Sequence, residues 1–210
     1  RPGPVWLDIP LDVQGAIIET EELKGYDPAE NPEQKPQKIP EETIKKILDK
    51  LVESSRPVLF PGNGVRLAGA AEDFHRLAEV LGVPVISGMS SVDAIESDHP
   101  YFVGRSGSTG TRPGNFALQN SDLLLSIGNR QGFAQTGFQF QDWARESYTI
   151  LNDIDENELK KPSLHVSLPV CGDGGKLIRG LLKAAGERGA DREHPLFRGE
   201  KWREQCRLWK

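Results

Sequence analysis

Arg56-Pro57-Val58-Leu59-Phe60-Pro61-Gly62-Asn63-Gly64 is the stretch from which the fold is read. Val58 to Phe60 is an apolar run too short for a helix, closed by a proline and two glycines, which predicts a buried strand ending in a tight turn. Phe74, Leu77, Ala78 and Leu81 then recur at helical spacing until Gly82 stops them. The unit is strand, glycine turn, helix. Downstream the alternation continues: a strand at Val83 to Ile86, a helix over 113–120, and Leu123 to Ile127 as a third strand with no polar alternation. A helix around Trp143-Ala144-Arg145, strands at Tyr148 to Leu151 and His165 to Leu168, and a helix from Leu177 to Ala185 complete the series. Apolar strands alternating with helices predict an α/β class: a doubly wound, mostly parallel, Rossmann-like sheet of about six strands with helices on both faces.

Outward from this block the texture changes. Ile44, Ile47, Leu48, Leu51 and Val52 follow Pro40 and two glutamates suited to a first helical turn, so the compact domain is expected over 41–187. Upstream, Pro4 to Leu11 reads as one strand bounded by prolines, and the polar, proline-broken remainder to Pro40 reads as linker. Residues 188–210, with Trp202, Trp209 and many charges, read as a tail or a helix leading elsewhere.

With 37% hydrophobic and 27% charged residues and a formal net charge of -5, the composition suits a soluble globular protein with no general attraction for nucleic acid. No apolar run approaches the roughly 20 residues that span a bilayer, and Arg1-Pro2-Gly3-Pro4 lacks the apolar stretch of a secretory signal, so no membrane and a cytoplasmic location are expected. Cys171 and Cys206 are far apart and read as ordinary reduced thiols.

In an open parallel sheet, ligands bind beyond the carboxyl ends of the strands. Gly62-Asn63-Gly64, Gly88-Met89 and Gly128-Asn129-Arg130 follow the first three strands, and Asp153 and Asp155 follow the fourth. Glycine lets a backbone present N–H groups to phosphate, and a carboxylate accepts ribose hydroxyls, so these residues are a candidate nucleotide cleft; alternatively the glycines only turn the chain. The G-x-G-x-x-G fingerprint is absent, because the next glycine after Gly64 is Gly69, which disfavours ordinary NAD binding. Gly104 to Thr111 is a loop of small residues running into Asn115, with Arg105 and Arg112 supplying charge: a phosphate or ribose cradle, or a flexible loop. Gly172-Asp173-Gly174 invites comparison with the start of a thiamine diphosphate magnesium motif, but no second oxygen ligand follows before the charged tail. His75, His99, His165 and His194 have no companion at triad or metal spacing, and Ser90, Ser91 and Cys171 have no identified base. No catalytic residue and no metal site is expected.

The ordered series is similar to acetolactate-synthase-like, thiamine-diphosphate-dependent enzymes. Arg1 to Gln14 resembles the closing strand of that family's pyrimidine-binding domain, and Arg56 to Gly64, Leu81 to Val85, His99-Pro100, Gly110-Thr111, Asn115 with Ala117, Ser121 to Leu125, Ile127-Gly128 and Asp153 to Asp155 with Glu158 to Pro162 resemble its central domain in order. The resemblance implies a parent of three domains, homo-oligomeric, that decarboxylates a 2-keto acid and adds the thiamine-bound carbanion to an acceptor carbonyl. It places thiamine diphosphate and Mg2+ on the pyrimidine- and diphosphate-binding domains, outside this chain, so the fragment alone is expected to be inactive. It also implies the deoxyhypusine-synthase-like variant of the nucleotide fold and a possible FAD site at Gly110, Thr111, Asn115, Gly128, Asn129, Arg130, Asp153 and Asp155. One departure stands out. The synthases carry an arginine, a phenylalanine and two aspartates after the third strand's glycine, whereas this chain has Gly128-Asn129-Arg130-Gln131-Gly132-Phe133, more similar to relatives in surface-sugar biosynthesis. Two other readings stand beside the central-domain one: a pure scaffold joining subunits, and an independent NAD-dependent enzyme of sirtuin-like fold. The sirtuin reading lacks the four cysteines of a zinc module.

Overall fold

The apolar run that opens the argument is β1, Pro57–Pro61, and every one of its residues is buried. The computed structural model describes residues 4–30 and 38–210, and the chain divides into one unit ending at Pro36 and another running from Gln37 to Lys210. In the first unit Leu11–Gln14 forms a single helical turn, α1, and short 3-10 turns follow at Thr20–Glu22 and Pro28–Glu30. The strand expected over 4–11 is not formed. Its apolar alternation lacks a neighbouring edge to bond, and Val5, Trp6 and Leu7 are all exposed.

The second unit begins with α2, Glu41–Glu53, whose Ile47, Leu48 and Leu51 are buried and whose Glu41 and Glu42 sit favourably at the positive end of the helix. After β1 come a short α3, Asn63–Leu67, and α4, Ala71–Leu81, which ends at Gly82 in the left-handed conformation (φ 66°), where glycine carries no Cβ penalty. Then follow β2 (Val85–Ser87), β3 (Phe102–Arg105), α5 (Arg112–Asn120), β4 (Leu123–Ile127) and the short α6 (Phe133–Thr136). The chain continues through β5 (Tyr148–Asp153), α7 (Glu156–Lys160), β6 (Leu168–Cys171), α8 (Gly174–Glu187) and α9 (Glu200–Trp209).

The six strands are all parallel, in the order β3-β2-β1-β4-β5-β6, with β1 and β4 in register from Pro57 opposite Leu123 to Pro61 opposite Ile127. α2 and α4 both pack on α8, while α5 and α9 pack together against β3. This is the doubly wound α/β architecture that the alternation of strands and helices predicts. The order reverses between β1 and β4, so their carboxyl ends define the position where such sheets receive ligands.

Three local expectations differ from the structure. β3 lies where the small-residue loop was expected to begin, because its four residues carry a glycine and an arginine and give no apolar signature. β6 runs over 168–171 rather than 165–168; it is an edge strand, half-exposed, and Pro169 is tolerated there because an edge strand leaves N–H groups unpaired. The helix expected around Trp143 is absent: a 3-10 turn occupies Phe140–Asp142 and Ala144 takes φ 48°, which no α-helix accommodates.

Residues 188–210 do not trail away as a tail. Phe197, Trp202 and Cys206 are buried in the same core as β1 and β2. Leu196 and Phe197 donate their N–H groups to the carbonyls of Val80 and Leu81, each at 2.9 Å, and Trp202 Nε1 donates to Pro57 O at 2.9 Å. Burying an aromatic side chain is worth roughly 1.5–3 kcal/mol, so this segment closes the amino-terminal end of the sheet rather than decorating it.

Candidate functional site

At the switch point the turn after β1 and the turn after β4 touch through glycine. Gly62 N–H donates to Ile127 O at 2.8 Å and Gly64 N–H to Gly128 O at 2.9 Å. A Cβ on Gly62 would stand 2.2 Å from Gly128 O and 2.4 Å from Asn129 Cα, and one on Gly64 would stand 2.7 Å from Gly128 O. Gly128 has φ 59°, so all three positions demand glycine for the crossing of the two turns themselves. Two of the backbone donors that would face a phosphate are thereby already bonded. Asn63 starts the five-residue α3 and, with Asp93 and Ser91, borders a recess of only about 30 Å³.

The ends of β2 and β3 are spanned by α6. Gln135 Nε2 donates to Ser106 Oγ at 2.5 Å and Ser108 N–H to Ala134 O at 3.0 Å. A Cβ on Gly88 would lie 2.9 Å from Gln135 Oε1, the movable tip of a side chain on α6. Gly88 N–H is taken by Ser91 Oγ at 3.0 Å, and Met89 projects into solvent. In the loop after β3, Asn115 closes a pair of bonds on Gly107, its Oδ1 accepting from Gly107 N–H at 2.9 Å and its Nδ2 donating to Gly107 O at 3.2 Å. Thr111 caps α5, its Oγ1 accepting from Gly114 N–H at 3.4 Å and from Arg105 N–H at 3.1 Å. A Cβ on Gly110 would stand 2.6 Å from Arg105 O, the same tight curl of chain.

Beyond β4, Asn129 Oδ1 accepts from Gln131 N–H at 3.2 Å and Arg130 Nε pairs with Glu158 at 2.9 Å. Lys161 Nζ donates to Arg130 O and, at 3.2 Å, to Gln131 O, while pairing with Glu158 at 3.3 Å. This half-buried lysine clamps the turn onto α7. Gln131 is a residue that sequence reasoning passes over: it is buried, takes φ 52°, and donates from Nε2 to Ser126 Oγ at 2.8 Å, leaving Oε1 buried without a partner. Only its place beside Gly132 in a turn hints at that role. Asp153 Oδ1 accepts from Asp155 N–H at 3.0 Å, and Asp155 caps α7 by accepting from Asn157 N–H at 2.9 Å. Asp173, excluded as a magnesium ligand from the sequence, caps α8 by accepting from Lys176 N–H at 2.8 Å.

The structure thus brings Gly62, Asn63, Gly64, Gly128, Asn129 and Arg130 together around the β1 and β4 ends, and Gly88, Met89, Gly110, Thr111 and Asn115 around β2 and β3, with Asp153 and Asp155 beyond β5. Most of their polar atoms are engaged in holding the turns. Burial pushes the Cys171 thiol up, reinforced by Glu156, Asp153 and Asp155, so it is a protonated thiol rather than a nucleophile at neutral pH. Among the described residues no group of His, Cys, Asp and Glu is arranged to hold a metal ion, and no helix is long and apolar enough to cross a membrane. At the positions where the resemblance implies FAD, the backbone donors do not fit a pyrophosphate: the N–H groups of Gly110, Thr111, Asn115 and Gly128 are bonded to Gly107 O, Arg105 O, Thr111 O and Asn152 O, and α6 spans the ends of β2 and β3.

Residues 44–181 match the model of the thiamine pyrophosphate enzyme central domain. A probable acetolactate synthase large subunit of Methanocaldococcus jannaschii is 36% identical over 185 residues, which cover 88% of this chain and 31% of that protein. The acetolactate synthase large subunit of Corynebacterium glutamicum is 33% identical over 198 residues, covering 92% of this chain and 30% of its own length, and that of Haemophilus influenzae is 30% identical over 217 residues, covering 100% and 36%. The chain therefore spans about a third of the length of the curated relatives it matches. With an all-parallel sheet reversing between β1 and β4 and a match from α2 into α8, the chain belongs to the family of thiamine pyrophosphate enzyme central domains.

Proposed function

We propose that this chain is the central, structural domain of a thiamine-diphosphate-dependent enzyme that decarboxylates a 2-keto acid and carries out carboligation, in the manner of acetolactate synthase, and that it positions neighbouring domains without binding a flavin. Residues 1–40 serve as the end of a preceding pyrimidine-binding domain and a linker. The thiamine diphosphate and Mg2+ of the parent belong to that domain and to a diphosphate-binding one, and the parent works as a cytoplasmic homo-oligomer. The observation that carries the structural reading is the crossing at the switch point, where Gly62 and Gly64 spend their N–H groups on Ile127 O and Gly128 O. The family match and the relatives' names support the choice of chemistry.

The test has two parts. The purified chain is incubated with excess FAD, passed through gel filtration, and the protein peak read for flavin absorbance and fluorescence; no retained flavin is expected, and a stoichiometric flavin peak refutes the flavin-free reading. The full-length parent is then assayed for pyruvate consumption with thiamine diphosphate and Mg2+, with and without FAD. Activity independent of FAD is expected, and an absolute flavin requirement has the same refuting force.

A further inference from the structure

The amino-terminal end of the sheet, opposite the switch point, holds a cavity of about 330 Å³ that the central-domain role does not use. Its apolar lining includes Pro84, Tyr101, Phe102 and Val103, and its cationic lining is Arg192, Arg203 and Arg207. The three guanidinium groups are not equivalent. Arg192 Nε pairs with Glu79 at 2.7 Å and is neutralised there. Arg203 is half-buried, and Nη1 donates to Gly82 O at 3.5 Å and to Phe197 O at 3.2 Å, both neutral carbonyls. Among the described residues neither Arg203 nor Arg207 makes an ion pair. A guanidinium has five N–H donors in a planar fork that matches a carboxylate, so Arg203 is held in place by one nitrogen with donors to spare. A partly desolvated cation with no anion is the state that a bound anion relieves.

The remaining lining sets the class of that anion. Glu193 and Glu200 are exposed at the same cavity and oppose multiple negative charge, which favours a monoanion over a phosphate ester or a polycarboxylate. Cys206, one helical turn beyond Arg203 on α9, is buried with its thiol pushed up to about 12, so the wall beside the arginine is neutral and nonreactive. We propose that this cavity binds a small organic monocarboxylate, its oxygens taking the spare donors of Arg203 and Arg207 and its flat apolar body lying against Pro84 and Phe102. The cavity is built within the unit from Gln37 to Lys210, which has its own core, so the chain itself is the proper subject of the test.

The probe is 4-fluorobenzoate, followed by fluorine NMR as the chain is titrated at low salt, with 4-fluorobenzyl alcohol as the uncharged counterpart. Saturable binding of the acid with Kd of about 1 mM is expected, the value for a ligand of this size with one charged anchor. The alcohol is expected to bind at least about tenfold more weakly, because it offers no charge to the guanidinium fork. Arg203→Gln should weaken the acid about tenfold, and Arg207→Gln, at an exposed position that leaves folding intact, about threefold to tenfold, in line with loss of one charge-assisted bond. Absence of saturation, equal affinity for acid and alcohol, or full affinity in Arg207→Gln overturns the proposal. So does binding to the chain that vanishes in the full-length protein, since the cavity would then be closed by another part of the parent.

Discussion

Replacing Gly62 by alanine separates the two meanings of the glycines at the switch point. The added Cβ would meet Gly128 O at 2.2 Å and Asn129 Cα at 2.4 Å, both backbone atoms that cannot swing away as a side chain would. The turns after β1 and β4 must therefore part, which strains the bonds from Gly62 N–H to Ile127 O and from Gly64 N–H to Gly128 O. Overpacking of this kind costs roughly 1–3 kcal/mol, and each weakened bond adds about 0.5–1.5 kcal/mol. A total near 3 kcal/mol lowers Tm by about 6–12 °C in a unit of this size. Gly186→Ala is the matched control: it lies in α8 with nothing within 4 Å of its added Cβ, so it should raise stability by up to about 1 kcal/mol through helix propensity. Thermal unfolding of both variants by far-UV circular dichroism, without any ligand, decides the matter. A Tm for Gly62→Ala within about 2 °C of the parent, well below the overpacking range, would refute the crossing and return Gly62 to the role of admitting a ligand.

Two further outcomes follow from the other end of the sheet. Trp202→Phe deletes the donor to Pro57 O, leaves that carbonyl buried and unpaired, and should cost about 1–3 kcal/mol in urea unfolding; an unchanged midpoint would mean that α9 is not docked on β1. His99 has its pKa held below its ordinary 6.5, first by burial and then by the nearby His75, against the opposing pull of Glu79 and Glu96, and its Nδ1 accepts Tyr101 N–H at 3.2 Å in the neutral form. Because the unfolded chain binds that proton more readily, stability is complete above pH 6.5 and falls as pH drops through 6.5 toward the folded value. His99→Gln should flatten the slope of urea midpoint against pH across this window, and an equally steep slope in the variant would assign it to other groups.

The architecture was legible because β1, β4 and β5 bury both faces and so show as unbroken apolar runs, and because α4 ends on a glycine whose left-handed φ only that residue takes without strain. What escaped was made of residues whose partner is distant. Phe102–Arg105 is a strand because Val85 and Ser87 offer it an edge, not because its own four residues say so. Trp202 and Phe197 sit among charges that make the segment look solvated, yet their burial is decided by the Pro57 carbonyl at the start of β1 and by the carbonyls of Val80 and Leu81 at the end of α4. Conversely, Pro4 to Leu11 has the apolar content of a strand and remains unpaired, since strand propensity is realised only against a neighbouring edge.

The candidate site shows the same asymmetry more sharply. Sequence places glycines at strand ends, and a glycine there serves one of three ends: a positive φ, close approach of a ligand, or close approach of another stretch of chain. The residue type is identical in all three, so only what a Cβ would strike distinguishes them. At Gly62 and Gly64 it strikes the turn after β4, and at Gly88 the side chain of Gln135; at Gly132 it strikes nothing. The substituted turn Asn129-Arg130-Gln131-Gly132 fits this pattern, because Gln131 reaches back to Ser126 while Lys161 clamps the Arg130 and Gln131 carbonyls, using the β4 end for internal bonds. On the proposed reading, a family fold whose crevice is engaged by its own chain would position the groups that carry the parent's chemistry rather than supply them.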